Sequence, residues 1–267
     1  MRTCTKKSMA AAVSMAALAG VLSLSGCGAN AGGTKGASGT QEQGTQASSS
    51  ESNGKDIFSL AGNANAIAPD DLAAIADEDV EKTVASLNEQ YEALIAECGS
   101  FDAYQANVDK VQAYYDTVLA ETNALGIRLR EYAANCASYV LASDRTFGQM
   151  YDDLEVIYDD LYDSAGDDLY DAVYDDLFGN LYDAFYNGVV KDGYDSMGYG
   201  EWSEISSAAY DMYSDAMSDA YELISDCRSD IYDFGSDVRG DVFGDKLDKA
   251  KKELSKFQED IEKLKEE

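Results

Sequence analysis

Residues 158–189 are the part of this chain whose residue types and spacing suggest chemistry. They read as eight tetrads, YDDL, YDSA, GDDL, YDAV, YDDL, FGNL, YDAF and YNGV, with an aromatic usually first, Asp usually second and an aliphatic usually last. The chemistry such a pattern offers is recognition. Tyr162, Tyr170, Tyr174, Tyr182 and Tyr186 supply large, stiff contact area of the kind enriched in binding surfaces, and Trp202 stands ready either as an anchor or as a cap on the end of a bundle. A second reading keeps the same tyrosines as bundle-boundary residues, with rings packed and hydroxyls in water. The acids Asp159, Asp163, Asp167, Asp171 and Asp175 form a row of like charges four apart. Each such pair costs a helix about 0.2–0.5 kcal/mol and invites counter-cations. Calcium prefers oxygen ligands, but no twelve-residue loop with EF-hand spacing occurs. The row is a candidate weak cation face, and no metal ion or cofactor is assigned to it.

Composition excludes much else. The 267 residues include 51 acids, 20 Lys+Arg, one Pro and no His, for a formal charge of −31. Without His there is no Ser-His-Asp or Cys-His nucleophile and no His-ligated zinc. Paired carboxylates can do glycosidase-type work, but these acids recur at periodic, outward positions. The chain therefore reads as no enzyme, and its acidity argues against a nucleic-acid partner.

The elements that must position the tyrosines are helices. Apolar residues repeat at 3 and 4 along three tracts, from Val80 to Cys98, from Tyr104 to Tyr139, and from Tyr213 to Val238 with a resumption at Leu247. The fold class is all-α, with long antiparallel helices in a coiled-coil-like rod or an elongated bundle. Gly99-Ser100 marks a hairpin turn, the glycines between 187 and 202 mark a reversal, and Gly240 to Gly244 marks a break. In the rod, one helix spans about 102–187. In the bundle it breaks at Gly126, Gly148, Gly166 or Gly179. On a regular α-helix each tetrad advances about 400°, so the Tyr/Leu stripe drifts by roughly 40° per tetrad and nearly encircles the helix. Cys98, Cys136 and Cys227 fall on core positions and read as small buried hydrophobes.

At the N-terminus, Arg2, Lys6 and Lys7 precede an uncharged, Ala-rich stretch from Met9 to Leu24 that ends in Leu24-Ser25-Gly26-Cys27. This resembles the signal of bacterial lipoproteins, in which signal peptidase II cleaves before a lipidated cysteine. The resemblance covers residues 1–27 and implies acyl chains (palmitate among them) on Cys27, with the protein held at the outer-facing surface of a membrane. With Arg2, Lys6 and Lys7 gone, 17 basic residues face 51 acids, a net charge of −34. Three regions result: a signal peptide (1–26), a lipidated Cys27 with a Gly/Ser-rich disordered tether (27–69), and a helical body (70–267) whose Tyr/Asp-rich hairpin end spans about 151–238. The expected function is that of a structural or interaction lipoprotein of the cell envelope. Its partners are the lipid bilayer, through Cys27, and an envelope protein or cationic partner. The alternative is a ligand-binding lipoprotein that captures cations, cationic peptides or glycans on its Tyr/Asp surface.

Overall fold

A computed structural model describes residues 65–266; Cys27, the signal segment and most of the tether lie outside the described residues. No strand occurs among those described. Helix α1 (Pro69–Cys98) opens on Pro69 in its first turn, followed by Asp70 and Asp71, which suit the positive end of the helix dipole. Gly99 ends α1, and Ser100 caps the short α2 (Phe101–Ala106), its hydroxyl accepting the Ala103 N–H at 3.3 Å. Helix α3 (Val108–Leu141) follows, then α4 (Phe147–Asp153), a composite run from Ile157 to Val190, a 3₁₀ turn at Gly193–Ser196, α7 (Tyr199–Phe243) and α8 (Leu247–Leu264). The composite run contains the two short α-helical pieces α5 (Gly166–Tyr170) and α6 (Phe178–Leu181).

Cross-chain contacts give the direction of each helix. Asp79 pairs with Arg128 while Leu87 meets Tyr114, so α1 and α3 are antiparallel. Tyr115 on α3 stacks on Phe178 and Tyr104 on α2 packs on Phe185, so the composite run is antiparallel to the α2–α3 segment. Gly126 meets Cys227 and Arg130 meets Asp230, so α3 and α7 are parallel. The chain is an up-and-down bundle, and the continuous 102–187 helix of the rod does not form. The break falls at 142–146, ahead of Gly148, while Gly126, Gly166 and Gly179 all remain helical. Its cause is a capping box. The Thr146 hydroxyl accepts the Gln149 N–H, and the Gln149 side chain accepts the Thr146 N–H, which starts a new helix and ends the old one. Cys98, Cys136 and Cys227 are buried free thiols. Burial pushes Cys136 up to about 12 and Cys227 up to about 11, which keeps both in the unreactive protonated form.

The reversal is tighter than the glycines suggested. Helical geometry persists through Val190, the bend is confined to Met197-Gly198, and α7 starts at Tyr199. The later break is also shifted. Helix α7 runs through Gly240 to Phe243, and the turn falls at Gly244–Lys246, with Asp245 in the left-handed region at φ 56°.

Candidate functional site

The tetrads are accommodated by a change of helix type. Ile157–Ala165, Asp171–Leu177 and Tyr182–Val190 are π-helical, separated by α5 and α6. A π-helix holds more residues per turn than an α-helix. The mixture of the two averages about four residues per turn, which is the period of the sequence, so the drift expected of a regular α-helix does not occur. The energetic reason lies in the fourth tetrad positions. Leu161, Ala165, Leu169, Val173, Leu177, Leu181, Phe185 and Val189 are all buried. Each large apolar side chain contributes about 1.5–3 kcal/mol on burial. A drift of 40° per tetrad would carry several of them into water, a loss larger than the cost of poorer hydrogen-bond geometry. π-turns are mostly isolated and frequently mark functional sites; here three occur in one run.

With the drift absorbed, the first tetrad positions stay on one face. Tyr158 and Tyr162 stack with ring centroids 5.1 Å apart, Tyr170 and Tyr174 at 4.9 Å, and Tyr182 and Tyr186 at 5.1 Å. Each stacked pair is met by rings from α7. Tyr232 lies 5.7 and 5.4 Å from the first pair, and Tyr221 lies 6.2 and 5.7 Å from the second. At the third, Tyr210 lies 5.6 Å from Tyr186 and Tyr213 lies 5.1 Å from Tyr182. The pairs recur every twelve residues on the composite run, while Tyr210, Tyr221 and Tyr232 recur every eleven on α7. Eleven residues are three α-turns at 3.67 per turn. Twelve residues at four per turn are also three turns, so the two helices keep step and build a ladder of three aromatic rungs along their seam.

Of the tyrosines singled out from the sequence, Tyr162, Tyr170, Tyr174, Tyr182 and Tyr186 therefore come together, all half-buried. Tyr158 and the α7 tyrosines complete the rungs and were not singled out. Tyr210, Tyr221 and Tyr232 remain 46, 50 and 45% exposed, so the ladder is open to solvent along its α7 edge. Trp202 is not on it. Its Nε1–H donates to the Val190 carbonyl at 2.8 Å, and its ring meets Tyr194 and Tyr199, so it pins the reversal.

Comparison with protein-family models, with curated proteins and with solved structures finds no match to the chain.

The electrostatics of the seam are set by acids and two arginines. Asp159, Asp163, Asp167, Asp171 and Asp175 are exposed, and among the described residues no group of three acids or thiols is placed to hold a metal ion. Asp167 pairs with Arg228 at 2.6 Å. The Arg228 guanidinium lies 4.7 Å from the centre of the Tyr162 ring. Gly166 makes this approach feasible, since a Cβ there would stand 3.0 Å from Arg228 Cγ. Arg228 thus forms the floor of a groove of about 460 Å³, walled by Tyr162, Tyr170, Tyr221 and Tyr232. Eleven residues on, Arg239 lies 4.2 Å from the centre of the Tyr151 ring and pairs with Glu155 at 3.3 Å. On the opposite side of the run, burial raises the carboxyls of Asp160 and Asp168 above their ordinary value. Asp159 and Asp77 add to the effect at Asp160, and Asp77, Asp171, Asp167 and Glu81 at Asp168. No helix of the described residues is long and apolar enough to cross a membrane.

Proposed function

We propose that this chain is a membrane-anchored extracytoplasmic lipoprotein, held through acylated Cys27, that acts as a helical scaffold and presents its tyrosine ladder as an adhesive face. The observation that carries the reading is the ladder's open edge. Three tyrosines at about half exposure recur in register beside six half-buried ones, in a region where 24 acids face only Lys191 and Arg228 between 151 and 238. Tyrosines needed only for packing would turn their rings inward, as Tyr104, Tyr114 and Tyr115 do. Aromatic area held stiff by neighbouring rings loses little side-chain entropy on binding. The Lys-balanced α8 end presents no such run.

Two experiments test the reading. A photo-crosslinking residue at Tyr221 or Tyr232 should give adducts in intact cells, whereas one at Glu89 on α1 should not. Absence of adducts at every rung would remove the adhesive face. For the anchor, Cys27→Ser should abolish acyl labelling and release the chain from the membrane fraction, and unchanged labelling would refute the lipoprotein assignment.

A further inference from the structure

The lowest rung and the α4 tyrosine just below it already hold cations supplied by the chain itself, and they show how such cations sit. Arg239 and Arg228 lie eleven residues apart on α7. Each sets its guanidinium over a tyrosine ring of a facing helix, Tyr151 on α4 below the ladder and Tyr162 in the first rung, and pairs with an acid four or five residues beyond that tyrosine: Glu155 and Asp167. Outside the ladder, Arg145 likewise combines a ring with an acid, though at other spacings, 5.3 Å from the Tyr139 ring centre and 2.7 Å from Asp153. The next step of eleven along α7 brings Met217 in place of arginine. From there upward the rungs continue without a cation of their own. Among the described residues no arginine lies over Tyr170, Tyr174, Tyr182, Tyr186, Tyr210 or Tyr221, and residues 170–222 carry 12 acids against Lys191 alone.

We infer that the upper two rungs are the docking site for a basic polypeptide segment of a partner, whose arginines take the positions that Arg228 and Arg239 take lower down. This rests on the adhesive reading above and names the chemistry of its partner. Ring geometry selects the arginine. Within a rung the centroids are 4.9–6.2 Å apart, so the rings touch and leave no cage for a bulky quaternary ammonium. A flat guanidinium stacks on an outer ring face and keeps its N–H groups for a neighbouring carboxylate, which a lysine ammonium does less well. Asp171, Asp175, Asp183, Asp211 and Asp215 are exposed beside these rungs. Adjacent rungs are eleven α7 residues apart, about 16 Å at 1.5 Å per residue. A partner helix with arginines at i and i+11 matches that spacing.

The test uses the full chain and helical Ala/Gln probe peptides, titrated calorimetrically at low salt. One probe carries two arginines eleven apart, a second has lysines at the same positions, and a third has the two arginines seven apart. The first should bind, and it should bind about two- to fivefold tighter than either of the others. Tyr221→Leu and Tyr210→Leu should each weaken it by about two- to fivefold with unchanged circular dichroism. Asp175→Asn/Asp183→Asn, which leaves the rings in place, should weaken it as well. Glu89→Gln/Glu92→Gln, which removes two charges from α1, should have no effect. Failure of the arginine probe to bind overturns the inference. Equal binding of all three probes with no loss in the tyrosine variants also overturns it, since plain charge attraction would then suffice. Binding of choline-headgroup vesicles or neutral oligosaccharides in place of the probes would assign the ladder a different ligand. Adducts at Tyr221 in cells, combined with any of these failures, would keep the adhesive face and remove only its arginine partner; loss of the adducts would remove both.

Discussion

Helix α3 and the run from Ile157 to Val190 are each 34 residues long and lie antiparallel in the same bundle. Helix α3 keeps the ordinary α period and is packed on several sides, by α1, α7, α8 and the composite run. Its buried positions are mostly small or aliphatic between Leu125 and Leu141, including Gly126, Leu129, Ala133, Ala134 and Ala137, with the rings of Tyr114 and Tyr115 buried nearer its start. Its charged residues are held by specific partners. Arg128 and the Tyr132 hydroxyl both donate to Asp79, at 2.7 and 2.9 Å, and Arg130 pairs with Asp230 at 2.7 Å. The composite run instead buries its fourth tetrad positions, leaves most of its acids exposed and lines its margin with rings. The contrast teaches that helix type follows the period of the apolar stripe and not the number of neighbours, since the composite run also packs against α1, α3 and α7. A helix whose apolar residues already repeat at three and four gains nothing from changing its pitch. One with a single aliphatic stripe and a single aromatic stripe gains the burial of both when its turn lengthens to match the sequence.

The sharpest way to break this comparison is to remove one exposed residue from each stretch. Deletion of Glu121 from α3 rotates everything beyond it by 100° relative to what precedes it. Leu125 and Leu129 then leave the core at about 2–5 kcal/mol each, which consumes most of the roughly 5–15 kcal/mol a domain commands. That variant should lose cooperative unfolding. Deletion of Asp175 takes one residue out of a π-turn, so Asp171–Leu177 can close as α-helix with Phe178, Leu181 and Phe185 still facing inward. It should cost about 1–2 kcal/mol in denaturant unfolding. Equal losses for the two deletions would refute the pitch-matching account.

A smaller effect separates the two stripes of the run. Phe178 is fully buried, stacks on Tyr115 at 6.1 Å and meets Tyr213, so Phe178→Ala should cost about 3–5 kcal/mol. Tyr221→Ala removes two ring contacts at the open edge and should cost about 1 kcal/mol. If Tyr221→Ala cost as much as Phe178→Ala, the rungs would belong to the core, and the adhesive reading would weaken.

The smallest effect is the pH dependence that the composite run contributes. Asp160 and Asp168 stand above the 3.8 of a free carboxyl. Between 3.8 and those raised values the folded chain binds more protons than the unfolded one, so stability falls as pH rises through that window. Acidification from neutral toward pH 4 should therefore raise the contribution of these two acids to Tm, and without His no buried imidazole opposes the trend. Asp160→Asn and Asp168→Asn should each raise Tm at neutral pH and flatten its pH dependence. An unchanged pH dependence of Tm in both variants would contradict the raised carboxyls of Asp160 and Asp168.

The helical class, the Gly99-Ser100 turn, the reversal near 198 and the buried cysteines were legible because each is written in local residue types or in a 3–4 repeat. The break at 142–146 was also written locally, as Thr146-Phe147-Gly148-Gln149, but the capping box was overshadowed by the glycines, of which Gly126 and Gly166 stay helical where neighbours approach too closely for a Cβ while Gly148 and Gly179 face open space. The five tyrosines were found, yet their alignment was not, since the drift of a four-residue stripe was computed for a helix of fixed pitch. The signal that would have revealed the ladder was a comparison of two spacings: twelve between Tyr158, Tyr170 and Tyr182, eleven between Tyr210, Tyr221 and Tyr232. The arginines over Tyr151 and Tyr162 were out of reach because they depend on a facing helix more than sixty residues away in sequence.

Trp202 gives the ladder an optical terminus. It is the chain's one tryptophan among 19 tyrosines, and it is held beside Tyr194 and Tyr199 at the upper end of the run, with ring centroids 5.1 and 6.2 Å away. Phenol rings spaced at 4.9–6.2 Å within each rung can pass excitation among themselves, and indole absorbs where phenol emits. Light absorbed by the tyrosines should therefore emerge as tryptophan fluorescence while the upper rungs keep their spacing, and return to phenol emission once they separate. The folded chain thus carries its own reporter for opening at the end assigned to the partner, readable without any added dye.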